Sequence, residues 1–441
     1  MSIRFGTDGV RGVANVEITP ELALALGAAT ATVFGARRVV VGRDTRRSGP
    51  MLEAATAAGI AAVGADAVVS GVAPTPAVAH ASARGDVPGI VISASHNPFA
   101  DNGLKVFAPG GRKLSDEQQA AIEDELARAL GTHRATGAAI GTVTSDDVLG
   151  PYADQVVAAV EGRRLDGVHV VLDCAHGANS QVAPEVFRRL GAVVEVIGAQ
   201  PDGTNINDGV GSTDPAALCR AVLAAGADLG IAFDGDADRM LAVGPDGTAV
   251  TGDHLIALFA ADLRARDRLR HGAVVVTVMT NLGFHRAMAD AGISVVTTPV
   301  GDRSVLEALA AGDLSLGGEQ SGHLVFADLA TTGDGLLAGV LLADLVRRSD
   351  APLDRMARAA MVDVPQLLLN VAIDRPVPDI ADRLSEDLAR EAAALGDDGR
   401  VLVRPSGTEP VVRVMVEATD AEVAAAVAER LADAVRRAAG A

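Results

Sequence analysis

Among its 441 residues the sequence has no tryptophan, one tyrosine and nine phenylalanines. Aromatic side chains therefore cannot carry its cores, which must be built from Ala, Val, Leu and Ile. At 49% hydrophobic residues there is enough of this material to bury several cores. Cysteine is nearly missing: Cys174 and Cys219 are the only two. That excludes a disulfide framework and points to a reducing compartment. An excess of positive charge is also missing, with 38 Lys and Arg against 57 Asp and Glu. A general nucleic-acid binder shows the opposite balance, although a local arginine cluster can still hold an anion on an acidic protein. Long apolar runs are absent; the stretch 22–36 is too short to span a bilayer comfortably. Asp8 and Arg11 interrupt the N-terminal stretch, so no signal peptide is expected there. The expectation is a soluble cytoplasmic protein.

What the chain has instead is punctuation. Its 48 glycines and 19 prolines sit between periodic segments, and its length suits several domains. Thr19-Pro20-Glu21 reads as a helix start, a threonine cap ahead of proline at the first helical position. That helix runs to about residue 35. Strands are expected at 38–41, 67–70 and 89–92, and a helix from Ser48-Gly49-Pro50 to about 63. Asp101-Asn102-Gly103 reads as a hairpin-type turn before extended structure at 104–107, followed by a helix over 115–130. The alternation restarts after Pro151, with strands at 168–172, 193–197 and 228–233 and a helix at 180–190. It restarts again with helices at 253–265, 282–291, 305–311 and 333–347 and strands at 273–278 and 294–298. Beyond about residue 364 come strands at 366–373, 400–404 and 411–417 and helices at 378–395 and 421–438. Alternation in the last strand suggests an antiparallel sheet covered on one face. The expected fold class is α/β: three similar α/β domains, 1–148, 149–251 and 252–363, then a smaller α+β domain with an antiparallel sheet, 364–441.

Four stretches could carry chemistry. The apolar run from Gly89 to Ile92 ends in Ser93-Ala94-Ser95-His96-Asn97-Pro98. A serine at the mouth of a strand, followed by His and Asn, suits a nucleophile or a phosphate carrier; it also suits a plain polar loop. Lys105 and Arg11 are candidate cations near it, each equally open to a surface ion pair. Asp234, Asp236 and Asp238 stand at alternate positions just past a strand. Carboxylates so close repel one another, so a cation explains them better than a solvated acidic turn. An EF-hand is excluded, because its sixth and twelfth positions are here Arg239 and Pro245. Mg²⁺ fits better than Ca²⁺, since three carboxylates leave room for a phosphate oxygen and water. Arg239 can hold a phosphate or pair with an aspartate. The loop from Gly317 to His323 offers Glu319, Ser321 and His323 to sugar hydroxyls, although His323 alone suits a capping or core histidine equally well. Arg404-Pro405-Ser406-Gly407-Thr408-Glu409-Pro410, with Arg413 beyond, has the makings of a phosphate nest or of a turn between strands.

Taken in order, FGTDGVRG (5–12), SASHNPFADNGLKVF (93–107), DGDADR (234–239), GGEQSGH (317–323) and RPSGTEPVVRVM (404–415) resemble the motifs of the α-D-phosphohexomutases. They span nearly the whole chain. The one departure is Ser93, where many relatives have threonine. The resemblance implies four domains around a central cleft, the first three with mixed sheets. It implies a phosphoserine at Ser95, whose phosphate binds one Mg²⁺ per chain together with Asp234, Asp236 and Asp238. Arg11, His96, Lys105, Arg239 and His323 would surround the transferring group, with Lys105 and His323 as acid/base candidates. Glu319 and Ser321 would bind sugar hydroxyls, and Arg404, Ser406, Gly407, Thr408 and Arg413 the non-reacting phosphate. The form of the first, second and fourth motifs points to the branch that converts glucosamine 6-phosphate to glucosamine 1-phosphate through a 1,6-bisphosphate, on the route to UDP-N-acetylglucosamine. The primer implied is glucosamine 1,6-bisphosphate or glucose 1,6-bisphosphate. The rivals are a mutase of glucose or mannose phosphates, a non-catalytic sugar-phosphate sensor and a Mg²⁺-dependent phosphatase. The expected partner is a small phosphosugar, with neither nucleic acid nor membrane; a homodimer is left open.

Overall fold

The computed structural model describes residues 9–126, 128, 134–375, 377–405 and 411–439. They divide into two compact units, Met1–Val278 with Ile293–Ala359, and Met279–Gly292 with Ala360–Ala441. No described helix is long and apolar enough to cross a membrane.

The first unit holds three mixed sheets. One runs in the order Val10–Val13, Asp101–Ala108, Gly89–Ile92, Arg38–Arg43, Asp66–Val72, Val143–Ser145, with two antiparallel junctions followed by three parallel ones. A second runs Ala249–Val250, Met240–Val243, Leu229–Phe233, His169–Asp173, Val193–Ile197, again antiparallel and then parallel. The third runs Ser294–Thr298, Ala273–Thr277, Leu316–Gly318, Leu324–Phe326, parallel except for its last pair. Valine-rich runs make these strands because branched side chains fit a pleated surface packed on both faces.

One arrangement recurs in all three sheets. A strand buried at every position (Gly89–Ile92, Leu229–Phe233 or Leu316–Gly318) leads through a loop into an antiparallel return strand. The loops are 93–100, 234–239 and 319–323. The conspicuous residues of the sequence therefore leave their sheets at equivalent places, beyond the carboxyl ends of parallel strands, where open α/β sheets put their ligands.

Asp101-Asn102-Gly103 is not a turn. All three residues lie in the strand Asp101–Ala108 and pair with Val10–Val13. Gly103 is needed for close approach: a Cβ there would stand 2.5 Å from the Ser93 carbonyl oxygen and 2.8 Å from that of Val10. The segment expected as one helix over 378–395 is broken into Ile380–Arg383 and Ser385–Leu395. Helices at Thr75–Gly85, Leu149–Ala158 and Ala216–Ala225 join those read from the sequence.

The second unit is a three-stranded antiparallel sheet, Gln366–Ala372, Val411–Ala418, Gly399–Pro405, sharing a core with the helix Ala421–Ala439. The helix Leu282–Asp290 belongs to this unit. Asn281 at its cap accepts from the Val364 N–H at 3.0 Å and donates to the Val364 carbonyl at 2.9 Å. The buried Glu417 accepts from the Leu282 N–H at 3.1 Å.

In the first unit, Asp334 caps the helix Gly335–Arg348. Its Oδ1 accepts from the Leu337 N–H at 2.9 Å and from the Tyr152 hydroxyl at 2.7 Å. Burial pushes this carboxyl up to about 6, against the pull of those two donors. A carboxyl raised in the folded state keeps its proton after the unfolded chain has lost its own. Its contribution to stability is full below about pH 4 and is lost as pH rises through about 6. Asp334→Asn keeps a good cap and the same accepting oxygen without the titration. Denaturant unfolding across pH 4–7 should show the variant gaining on the wild type by up to roughly 3 kcal/mol as pH rises. A difference that stays flat with pH would contradict the assignment.

Candidate active site

Ser95 lies in the left-handed region, with φ of 53°, a conformation that costs a non-glycine residue about 1 kcal/mol or more. Local bonds hold it there. Its N–H donates to Ser93 Oγ at 2.9 Å, and Ser93 Oγ donates to the buried Asp44 at 2.6 Å. The turn aims the Ser95 hydroxyl at the loop of the second sheet, where it donates to Asp234 Oδ2 at 2.5 Å.

Asp234, Asp236 and Asp238 are all buried, and their ligand oxygens lie within 4.8 Å of one another. Ala237, with φ of 61°, bends the loop so that alternate carboxylates converge. Asp236 Oδ2 accepts from Thr75 Oγ1 at 2.6 Å and from Lys105 Nζ at 2.8 Å; Lys105 also reaches Asp238 at 3.1 Å. The lysine, 1% exposed, is a buried cation rather than a surface ion pair. Burial, then Asp238 and Asp236, push the Asp234 carboxyl up to about 8. Burial works the same way on Asp238, but Lys105, His323 and Arg239 outweigh it and hold that carboxyl well below its ordinary range. Asp236 Oδ1 is buried and meets no hydrogen-bond donor among the described residues. Asp238 Oδ1 is likewise buried without a hydrogen-bond donor among the described residues, and three convergent carboxylates with two such oxygens suit a hard cation, which takes oxygen ligands and relieves the repulsion.

The other expected residues fall around this cluster unevenly. His96 Nδ1 is 3.4 Å from both Ser95 Oγ and Arg239 Nη1. Burial, then Arg239 and Arg11, lower its pKa to about 4, so the imidazole is neutral at pH 7. The Arg239 N–H donates to Asp234 Oδ1 at 3.2 Å, and its side chain lies 3.8 Å from Asp238. Arg11 sits opposite Gly103 on the neighbouring strand and is exposed. His323 is 2% exposed, with Nδ1 3.8 Å from Asp238 Oδ1. Burial lowers the basicity of this imidazole, but Asp238, Asp302 and Glu319 prevail and raise it above the ordinary value. Its ring lies against Gly333, where a Cβ would come within 2.3 Å of it. Glu319 Oε1 accepts from the Gly301 N–H at 3.0 Å, and Ser321 is exposed on the same loop. Gly322 ties this loop to the second sheet, its carbonyl accepting from the Met240 N–H at 3.0 Å.

In the second unit, Arg404 and Arg413 stand directly opposite one another on paired strands. Ser406, Gly407 and Thr408 lie outside the described residues, as do residues 5–8 of the first motif. The structure also brings in residues that sequence reasoning passed over: Asp44, Arg46, Thr75, Asn207 and Gly333. Asp44-Thr45-Arg46 did carry a signal, since it follows a valine-rich parallel strand at its carboxyl end.

Comparison with known proteins agrees with this geometry. Four family descriptions match the chain in order: phosphoglucomutase/phosphomannomutase α/β/α domain I over residues 2–131, domain II over 150–247, domain III over 251–364 and the C-terminal domain over 368–434. The chain is 53% identical to a phosphoglucosamine mutase of Frankia alni, over 99% of each sequence. It is 51% identical to a phosphoglucosamine mutase of Thermobifida fusca, over 99% of this chain and 98% of that one. A crystal structure of a phosphoglucomutase/phosphomannomutase family protein from Burkholderia thailandensis superposes with a TM-score of 0.83 at 26% identity, covering 99% of this chain and 97% of that one. With its domains matched in order and its whole length shared with such relatives, the chain belongs to the phosphoglucomutase/phosphomannomutase family, the phosphohexomutases of the isomerase class.

Proposed function

We propose that the chain interconverts glucosamine 6-phosphate and glucosamine 1-phosphate, with Ser95 as the phosphate carrier. The observation that carries this reading is the convergence of loops from three sheets: Ser95 Oγ lies 2.5 Å from Asp234, and Lys105 and His323 border the same three aspartates. Phosphoryl transfer asks a protein for alignment and charge neutralisation more than for covalent versatility. Asp234, Asp236 and Asp238, with the phosphate on Ser95, would hold one Mg²⁺, which supplies charge neutralisation when bound. Arg239 adds positive charge beside the transferring oxygens, and Arg11 lies within electrostatic reach of His96. His96, neutral at pH 7, serves the serine as a hydrogen-bond partner rather than as a cation. Lys105 and His323 take up and return the proton of the reacting sugar hydroxyl. Glu319 and Ser321 bind the sugar's other hydroxyls.

Arg404, Ser406, Gly407, Thr408 and Arg413 hold the phosphate that is not reacting. Support comes from the register of the two arginines, which stand directly opposite one another on paired strands, so that one phosphate can meet both. In the cycle, phosphorylated Ser95 gives its phosphoryl group to O1 of glucosamine 6-phosphate. The 1,6-bisphosphate turns round, its 6-phosphoryl group returns to Ser95, and glucosamine 1-phosphate leaves. Glucosamine or glucose 1,6-bisphosphate primes an unphosphorylated serine. The buried, unpaired Cys174 supports a cytoplasmic setting. We assign the catalytic serine loop to a domain of residues 1–148, the metal loop to 149–251, the sugar loop to 252–363 and the phosphate grip to 364–441.

The test is a comparison of specificity constants. Glucosamine 6-phosphate should be preferred over glucose 1-phosphate, with a trace of bisphosphate as primer. Preference for glucose 1-phosphate would make the chain a phosphoglucomutase. Free phosphate released in step with substrate loss would make it a phosphatase.

A further inference from the structure

Arg46 is among the largest fully buried side chains of the protein, and the reading above gives it no part. A guanidinium has five N–H donors in a fixed plane, and here each meets an acceptor. Nε donates to Asp44 Oδ2 at 2.8 Å. Nη2 donates to the carbonyls of Ser95 at 2.9 Å and Asn97 at 2.7 Å. Nη1 donates to the Asp101 carbonyl at 3.0 Å and to that of Pro98. Four carbonyls of the serine loop and its exit thus converge on one planar cation. Asp44, itself fully buried, neutralises that cation and holds Ser93 Oγ, which in turn receives the Ser95 N–H. Both backbone polar groups of Ser95 are therefore tied to the Arg46–Asp44 pair.

A second grip comes from the other side. Asn207 Nδ2 donates to the same two carbonyls, Ser95 at 3.0 Å and Asn97 at 3.2 Å. Asn207 is fixed in turn by its own N–H, which donates to the Ala175 carbonyl at 2.9 Å. Gly235 presses on the same point: a Cβ there would lie 2.6 Å from the Ser95 carbonyl oxygen.

We infer that Arg46 and Asn207 are positioning residues: they hold Ser95 in its left-handed turn and register the phosphate carrier against the aspartate triad. This rests on the phosphoserine reading given above. A carrier that must present its phosphoryl group in line to either end of a sugar cannot let its loop relax between the two transfers. Such a loop needs a rigid internal anchor, because its strained turn gains nothing from a substrate that has yet to bind. Lysine is no substitute for Arg46, since one ammonium cannot span four carbonyls in a plane.

The test is steady-state kinetics on Arg46→Lys and Asn207→Ala beside the wild type, with glucosamine 6-phosphate as substrate and free phosphate counted per turnover. Turnover (kcat) should fall about 10²-fold in R46K, as expected for a misplaced reacting group, and roughly tenfold in N207A. KM should stay within about threefold in both, because the loss is confined to the transition state. Free phosphate per turnover should rise, since a loosened phosphoserine is open to water. A folded R46K with wild-type kcat, or a loss carried by KM alone, overturns the inference. If R46K does not fold, N207A decides in the same way. A wild-type chain that interconverts no hexose phosphate overturns the functional reading, and the inference with it.

Discussion

Ser95→Ala is expected to lower turnover by about 10⁴-fold or more while leaving the fold intact. The hydroxyl is the only group that the reading asks to form a covalent bond, and no neighbour can take over. His96 is neutral at pH 7 and stands 3.4 Å behind the serine oxygen rather than in its place. The stability change should be small. Alanine meets the same left-handed strain that serine already bears, and the loop's backbone bonds to Ser93, Arg46 and Asn207 involve no atom of the Ser95 side chain. Asp234 loses one donor but keeps the Arg239 N–H at 3.2 Å. The measurement is conversion of glucosamine 6-phosphate with primer present, alongside thermal unfolding and the intact mass of both proteins after exposure to the bisphosphate. The wild type should gain one phosphate and the variant none. A variant that keeps more than about a hundredth of wild-type turnover would remove the carrier from the mechanism.

The valine-rich strands were legible because short runs of branched residues bounded by glycine suit a buried strand, whereas Val10–Val13, Met240–Val243, Leu316–Gly318 and Leu324–Phe326 carry no such run and were not read from the sequence. The candidate loops stood out because their residue types are costly without a ligand: three aspartates at alternate positions, or two arginines near a glycine. What stayed hidden depends on partners distant in sequence. Asn102-Gly103 has the local chemistry of a turn, yet pairing with Arg11 and Gly12 on one side, and the Ser93 N–H donating to the Gly103 carbonyl at 3.0 Å on the other, keep it extended. Asn207 grips the Ser95 carbonyl from 112 positions away, in a stretch with no periodicity. Thr75 reaches Asp236 across 161 positions. Arg46 looked like one more charge in a polar turn; only the converging carbonyls of another loop explain its burial. Leu282–Asp290 follows the strand Ala273–Thr277 in the chain, but its cap bonds to Val364 and Glu417 join it to the C-terminal unit.

Asp236→Asn should cost metal affinity about 10²-fold or more and turnover about 10³-fold, even though the two side chains have the same shape. The reason is that Asp236 uses both oxygens. Oδ2 accepts from Thr75 and Lys105, and Oδ1 is buried without a donor, available to a cation. An amide has one oxygen. If that oxygen stays with Thr75 and Lys105, its NH₂ replaces the orphaned oxygen and repels the metal. If it turns toward the metal, the NH₂ faces a lysine ammonium and a hydroxyl proton. Neither orientation satisfies both sides, and the low-dielectric setting magnifies the error. Without metal the change is milder, because it removes one of three acidic groups crowded together in a buried site. The variant should therefore separate the two contributions. Saturating Mg²⁺, at about 100 times Kd, stabilises a protein that binds it only when folded by roughly 2.7 kcal/mol, which the wild type should show as a rise in Tm. At the same Mg²⁺ concentration D236N should show little rise, while its metal-free Tm stays near that of the metal-free wild type. A variant with the full Mg²⁺-dependent rise in Tm and wild-type turnover would mean that the three aspartates are not the metal site, and that Lys105, Arg239 and His323 balance their charge.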